Sequence, residues 1–206
     1  MRRISAMAIL AIALSITIPL ASVAQDDRDT DGKIMKKGPT HDIKAPDSVI
    51  SLMGEQVPEV VRRQVRMRDN SFRQEKVSLR NESGLTKVEP FIYVESPPSF
   101  YNSRVTDLFH DKDWVTQQAK RVLKGVPVLG EAKEGRNGEG RFVYLFAGEQ
   151  PDAHDKCMVA MQLRNVAVTP APGELYKDSV QFVYCASDMS EQDFLKVFDT
   201  VSIRKR

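Results

Sequence analysis

Two cysteines constrain this chain more than any other feature, because one opens and the other closes an apolar run of strand length. Cys157-Met-Val-Ala-Met-Gln-Leu-Arg164 and Ser179-Val-Gln-Phe-Val-Tyr-Cys185 flank a segment containing Pro170, Pro172 and Gly173. If the runs are antiparallel strands with the cysteines opposite, the pairing centres on Ala171, inside that turn-rich segment. Val159 then faces Val183 and Met161 faces Gln181, while Met158 faces Tyr184 and Ala160 faces Phe182 on the other side. Both faces are apolar, so these strands are expected to be covered on both sides.

The start of the chain bears on whether the cysteines are oxidised. Arg2 and Arg3 precede an apolar run from Ile4 to Leu20, followed by Pro19-Leu-Ala-Ser-Val-Ala24. This is the pattern of a secretory signal over residues 1–24, with cleavage after Ala24; the alternative is an uncleaved membrane anchor. Cleavage removes two of the 30 basic residues and none of the 28 acidic ones, leaving a formal charge near zero. A general attraction to nucleic acid is therefore not expected. Export to the periplasm or outside the cell favours a Cys157–Cys185 disulfide, with two separate buried thiols as the alternative.

Residues 25–46 are charged and polar, with Ile34, Met35 and Ile43 almost the whole apolar content, and read as a disordered linker. Residues 47–206, within a mature chain of roughly 180 residues, suffice for one domain. Pro58 with Val57, Val60, Val61 and Val65 suits a short helix, although the valine content leaves a strand open. Lys76–Arg80 and Lys87–Glu95 have strand composition and are expected to form a hairpin, with Pro90 marking an edge or a bulge. Asp111 to Lys124 reads as a helix, with Asp113 as a plausible N-cap and Gly125 as the stop. Val126–Leu129 and Arg141–Phe146 flank Asn137-Gly138, a strong hairpin signal that places those two residues at the centre of the turn. Glu191 to Val201 carries a stripe of Phe194, Leu195, Val197, Phe198 and Val201, with Ser190 as N-cap and Asp193 close to the capping-box position.

Together these segments predict an α+β fold: an antiparallel sheet with a helix before the central hairpins and a C-terminal helix packed on it. The order of elements from Asp113 to Ile203, ending in Phe194-Leu-Lys-Val-Phe-Asp-Thr-Val-Ser-Ile203, resembles the PsbP-type fold of small exported or accessory domains. That resemblance implies a non-catalytic accessory or binding subunit and carries over no individual residue.

Candidate chemistry falls in two places. Arg62, Arg63, Arg66 and Arg68 open a basic run that extends through Arg73, Lys76 and Arg80 against only Asp69 and Glu75. Such an excess suits contact with an envelope protein or an anionic surface; a solvated face whose acids lie elsewhere in the fold is the plainer account. Each histidine precedes an aspartate, and His110, Asp111 and His154 are the candidate metal ligands of a metal-dependent hydrolase; capping and turn chemistry is the plainer account of such aspartates. A Cys157 nucleophile served by His154 would require a free thiol. No hydrolase serine elbow is present, and Gly135, Gly138 and Gly140 straddle a hairpin instead of the strand-to-helix turn that a phosphate loop requires. No cofactor is implied. After signal cleavage no transmembrane segment is expected.

Overall fold

The computed structural model describes residues 37–68, 72–96, 109, 111–150, 153–165 and 177–204, all within the unit Lys36–Arg206. The signal sequence, most of the linker, His110 and the loop around Ala171 lie outside the described residues. In chain order the strands are β1 (Lys37–Asp42), β2 (Ile50–Leu52), β3 (Val60–Arg68), β4 (Phe72–Leu79) and β5 (Phe91–Ser96). Helix α1 (Lys112–Val122) follows, then β6 (Val128–Asn137), β7 (Gly140–Ala147), β8 (Asp155–Asn165), β9 (Lys177–Ser187), α2 (Glu191–Asp199) and β10 (Val201–Ile203). Eight strands form one antiparallel sheet in the order β1-β3-β4-β5-β9-β8-β7-β6, and β2 pairs with β10 in a separate small sheet.

This overturns the expected α+β fold. Ten strands stand against two α-helices among the described residues, so the protein is predominantly antiparallel β. The reason is local. The arginine-rich segment 60–68 obeys the two-residue alternation of a strand, with Val65 buried between Gln64 and Arg66, and pairs with β4 along its length. Residues 37–42, assigned by composition to the linker, also enter the sheet, by backbone pairing with β3 that needs no apolar side chains.

The sheet has two buried faces. On one, Val77, Ile92, Val94, Phe142, Tyr144, Met158, Ala160, Val180, Phe182 and Tyr184 meet Phe194, Val197 and Phe198 of α2. On the other, Val143, Leu145, Val159, Met161, Val183 and both cysteines meet Val115, Ala119 and Leu123 around α1. Most of each core is therefore supplied by strands, and the helices add a few side chains apiece.

The pairing of β8 and β9 has the register read from the cysteines: Cys157 opposes Cys185, Val159 opposes Val183, Met161 opposes Gln181, Met158 opposes Tyr184 and Ala160 opposes Phe182. The two sulfurs are bonded at 2.03 Å. Helix α1 is capped by Asp111, which accepts from the amides of Asp113 and Trp114, so the cap lies two residues before the one expected. The β6–β7 turn is also displaced by one: Asn137 pairs with Gly140, leaving Gly138 and Glu139 at its centre. Asn137 Oδ1 accepts from the Glu139 amide at 3.0 Å, which commits that side chain to shaping the turn from its first position. Gly135 opposes Phe142, whose ring fills the space where a Cβ would stand.

Two buried polar side chains tie the small sheet to the large one. Glu75 on β4 is fully buried and accepts from the Ser48 hydroxyl, from the Val49 and Ile50 amides at 3.0 and 3.3 Å, and from Arg73 at 2.9 Å. Arg164 on β8 donates to Gln162 Oε1 at 2.9 Å and to the Val201 carbonyl, with its guanidinium 5.7 Å from the Phe198 ring. Its Nη2 is buried with no hydrogen-bond partner, and burial pulls its pKa below the usual arginine range.

Candidate functional site

A groove of about 470 Å³ opens where the sheet margin meets the start of α2. A fault in the β6–β7 ladder accounts for its position. Leu129 pairs with Phe146 and Lys133 with Tyr144, so Gly130, Glu131 and Ala132 together stand opposite the single residue Leu145. The edge strand bows away from β7 there, and Gly130 takes the bend at φ +71°, a conformation that glycine adopts without steric cost. Charged residues and a bulge of this kind also guard an edge strand against pairing with other chains.

The walls are apolar. Leu145 and Phe194 are buried, and Leu129, Phe146 and Met189 are half-buried. Phe146 meets Phe194 edge to face with ring centroids 5.5 Å apart, which fixes the α2 side of the cleft against β7. The rim carries Lys133, Lys156, Glu131, Ser190 and Glu191. Two hydrogen bonds hold Glu191: Lys133 Nζ donates at 2.6 Å and the Tyr144 hydroxyl at 2.7 Å. The Lys133 bond holds the Glu191 carboxyl below the usual range, aided by Tyr144 and opposed by partial burial. Burial, then the bond to Glu191, pushes the Tyr144 hydroxyl up to about 12. Ser190 caps α2, accepting from the Asp193 amide at 3.2 Å and donating to Asp193 Oδ2 at 2.6 Å. Its hydroxyl is thereby committed to the helix start. The arrangement is suited to holding an apolar group beneath a charged rim.

The residues singled out from the sequence lie elsewhere. Strand alternation divides the arginines: Arg63 turns to the face of Glu75, whereas Arg62 and Arg66 point the other way. Arg63 donates to Ser48 Oγ at 2.9 Å and to the Ile50 carbonyl at 3.0 Å, and burial lowers its pKa. Arg62 is bound to Asp42 at 2.8 Å and Arg66 to Thr40 Oγ1 at 2.9 Å, both on β1. Arg68 ends β3, opposite Phe72 and Lys37. The basic run is therefore divided between two faces of a strand, and Arg62, Arg63 and Arg66 have partners within the fold.

The metal candidates have structural partners too. Asp111 caps α1, and His154 Nδ1 is hydrogen-bonded to Asp188 on an exposed corner. Asp155 accepts from Ser187 Oγ at 2.5 Å and from the Gly84 amide at 2.9 Å, and these bonds lower its pKa. Among the described residues no group of three or more His, Cys, Asp or Glu is placed to hold a metal ion. None of their helices is long and apolar enough to cross a membrane.

The groove was not readable beforehand. Its residues come from β6, β7, β8, the turn before α2 and α2 itself, and the pairing shift at Gly130 stands at their opening. Gly130, lying between a strand-like run and a charged stretch, was the available signal. No protein-family model, no curated protein and no solved structure matches the chain.

Proposed function

We propose that this chain is an exported, non-catalytic binding protein of the cell envelope, and that it binds through the groove between β6, β7 and α2. The observation that carries the reading is the apolar wall of Leu129, Leu145, Phe146, Met189 and Phe194, open at the bulge and bordered by charged side chains. Small-molecule sites are commonly concave, apolar and set with a few polar groups, at volumes of about 300–1,000 Å³. The Cys157–Cys185 disulfide supports an oxidising compartment, in keeping with the signal-like first 24 residues. A binding role is also what the PsbP-type resemblance implies. The alternative of a metal-dependent hydrolase using His110 and His154 draws no support from Asp111 or His154, whose described bonds belong to a helix cap and to Asp188.

The test is saturation with a neutral apolar dye such as N-phenyl-1-naphthylamine. One site per chain is expected, lost in Met189→Glu and Leu129→Glu and kept in Arg62→Gln. Absence of saturable binding to the folded wild-type chain would remove the groove as the site.

A further inference from the structure

The charges on the rim are not equivalent. Lys133 and Glu191 satisfy one another at 2.6 Å, and the second oxygen of Glu191 is taken by Tyr144. Glu131 stands exposed on the bulge, where water solvates it. Lys156 differs: it is half-buried, lies two residues before Met158 on the α2 side of β8, and its ammonium has no hydrogen-bond or ion-pair partner among the described residues. A half-buried lysine beside an apolar wall is the one place on this rim where an incoming counter-ion gains a charge-assisted bond without displacing an existing one.

The bulge also restricts the occupant. A bound peptide strand would need a regular row of backbone donors and acceptors along β6, and the ladder is interrupted between Leu129 and Lys133. A membrane surface would need apolar side chains around the mouth. The exposed large ones among the described residues are Met53 and Val57 between β2 and β3, and Val61 and Met67 on β3 toward the opposite margin of the sheet, and none of them lines the groove.

We infer, on the reading of the groove as the binding site, that its ligand is a monomeric single-chain amphiphile with an anionic head: the chain lies along Leu129, Phe146, Met189 and Phe194, and the head pairs with Lys156. The oxidised full chain is titrated with dodecanoate, dodecanol and dodecylammonium below their micelle concentrations, by displacement of the apolar dye and by native mass spectrometry. Dodecanoate is expected to bind one per chain and about tenfold or more tighter than dodecanol, with dodecylammonium weakest. Lys156→Glu is expected to reverse the order of the two ions, and Lys156→Arg to preserve it. The comparison of heads on the wild-type chain carries the test even if Lys156→Glu does not fold. Equal affinity for all three would overturn the assignment of the head while leaving the groove as the site. Dye binding that none of the three displaces would overturn the amphiphile, and failure of both dye and amphiphiles to bind would remove the groove reading itself. Binding to phosphatidylglycerol vesicles without uptake of monomer would likewise overturn the proposal.

Discussion

Cys157 and Cys185 face each other directly across β8 and β9, with Cα atoms 4.0 Å apart and both side chains fully buried in the core beneath α1. The bond closes a loop whose ends are 28 residues apart, and loop-closure entropy assigns it about 3.5 kcal/mol. Replacing both cysteines with alanine is expected to lower the unfolding free energy by about that amount in urea and to raise the denaturant slope, because the unfolded chain then expands. An unchanged midpoint would show that the fold does not depend on the bond.

Glu75 holds the small sheet against the large one from a fully buried position, with the Arg73 guanidinium at 2.9 Å. Glu75→Ala is expected to cost about 3–5 kcal/mol, since it removes from the interior the carboxylate that accepts from the Ser48 hydroxyl, the Val49 and Ile50 amides and the Arg73 guanidinium. Hydrogen exchange is expected to rise first in β2 and β10. A loss below about 1 kcal/mol would contradict this role.

The β3 arginines separate into two classes. Arg62→Gln and Arg66→Gln remove contacts at the surface and are expected to leave the denaturant midpoint essentially unchanged. Arg63→Gln removes the guanidinium bonds to Ser48 Oγ and to the Ile50 carbonyl from a part-buried site and is expected to cost about 1–3 kcal/mol. Equal effects in denaturant melts would contradict the inward placement of Arg63.

The pair Glu191–Tyr144 predicts opposite pH limbs. Glu191 is lowered in the fold, so its contribution is present above the unfolded value of about 4.3 and is lost as pH falls through the lower folded value. Tyr144 is raised to about 12, so its contribution is complete below the unfolded value of about 10 and is lost as pH rises from 10 toward 12. Urea midpoints across pH are expected to fall at both ends, and Glu191→Gln to flatten the acid limb. Ultraviolet titration is expected to show one tyrosine ionising near pH 12, with an earlier midpoint in Glu191→Gln.

The legible parts of this fold were those fixed by local pattern. The β8–β9 register followed from two cysteines and alternating apolar runs, and the Ser190 cap followed from a polar residue before a helical stripe. The arginine strand was obscured because Val60–Arg68 is too polar for a buried run, and the burial of Val65 is revealed only by pairing with β4. Strands β2 and β10 are three residues each, and their partner lies at the far end of the chain, a relationship that periodicity does not encode. The groove was hidden for the same reason, because it is a property of the mismatch between β6 and β7 and not of either strand.

The most direct measurement is an NMR titration of the oxidised full chain with dodecanoate, following methyl and backbone signals. Saturable shifts confined to Leu129, Leu145, Met189 and the start of α2, with Lys156 among the residues most affected, are the predicted result. Shifts clustered on the Arg62–Arg66 segment of β3, or none at the β6–β7 bulge, would contradict it.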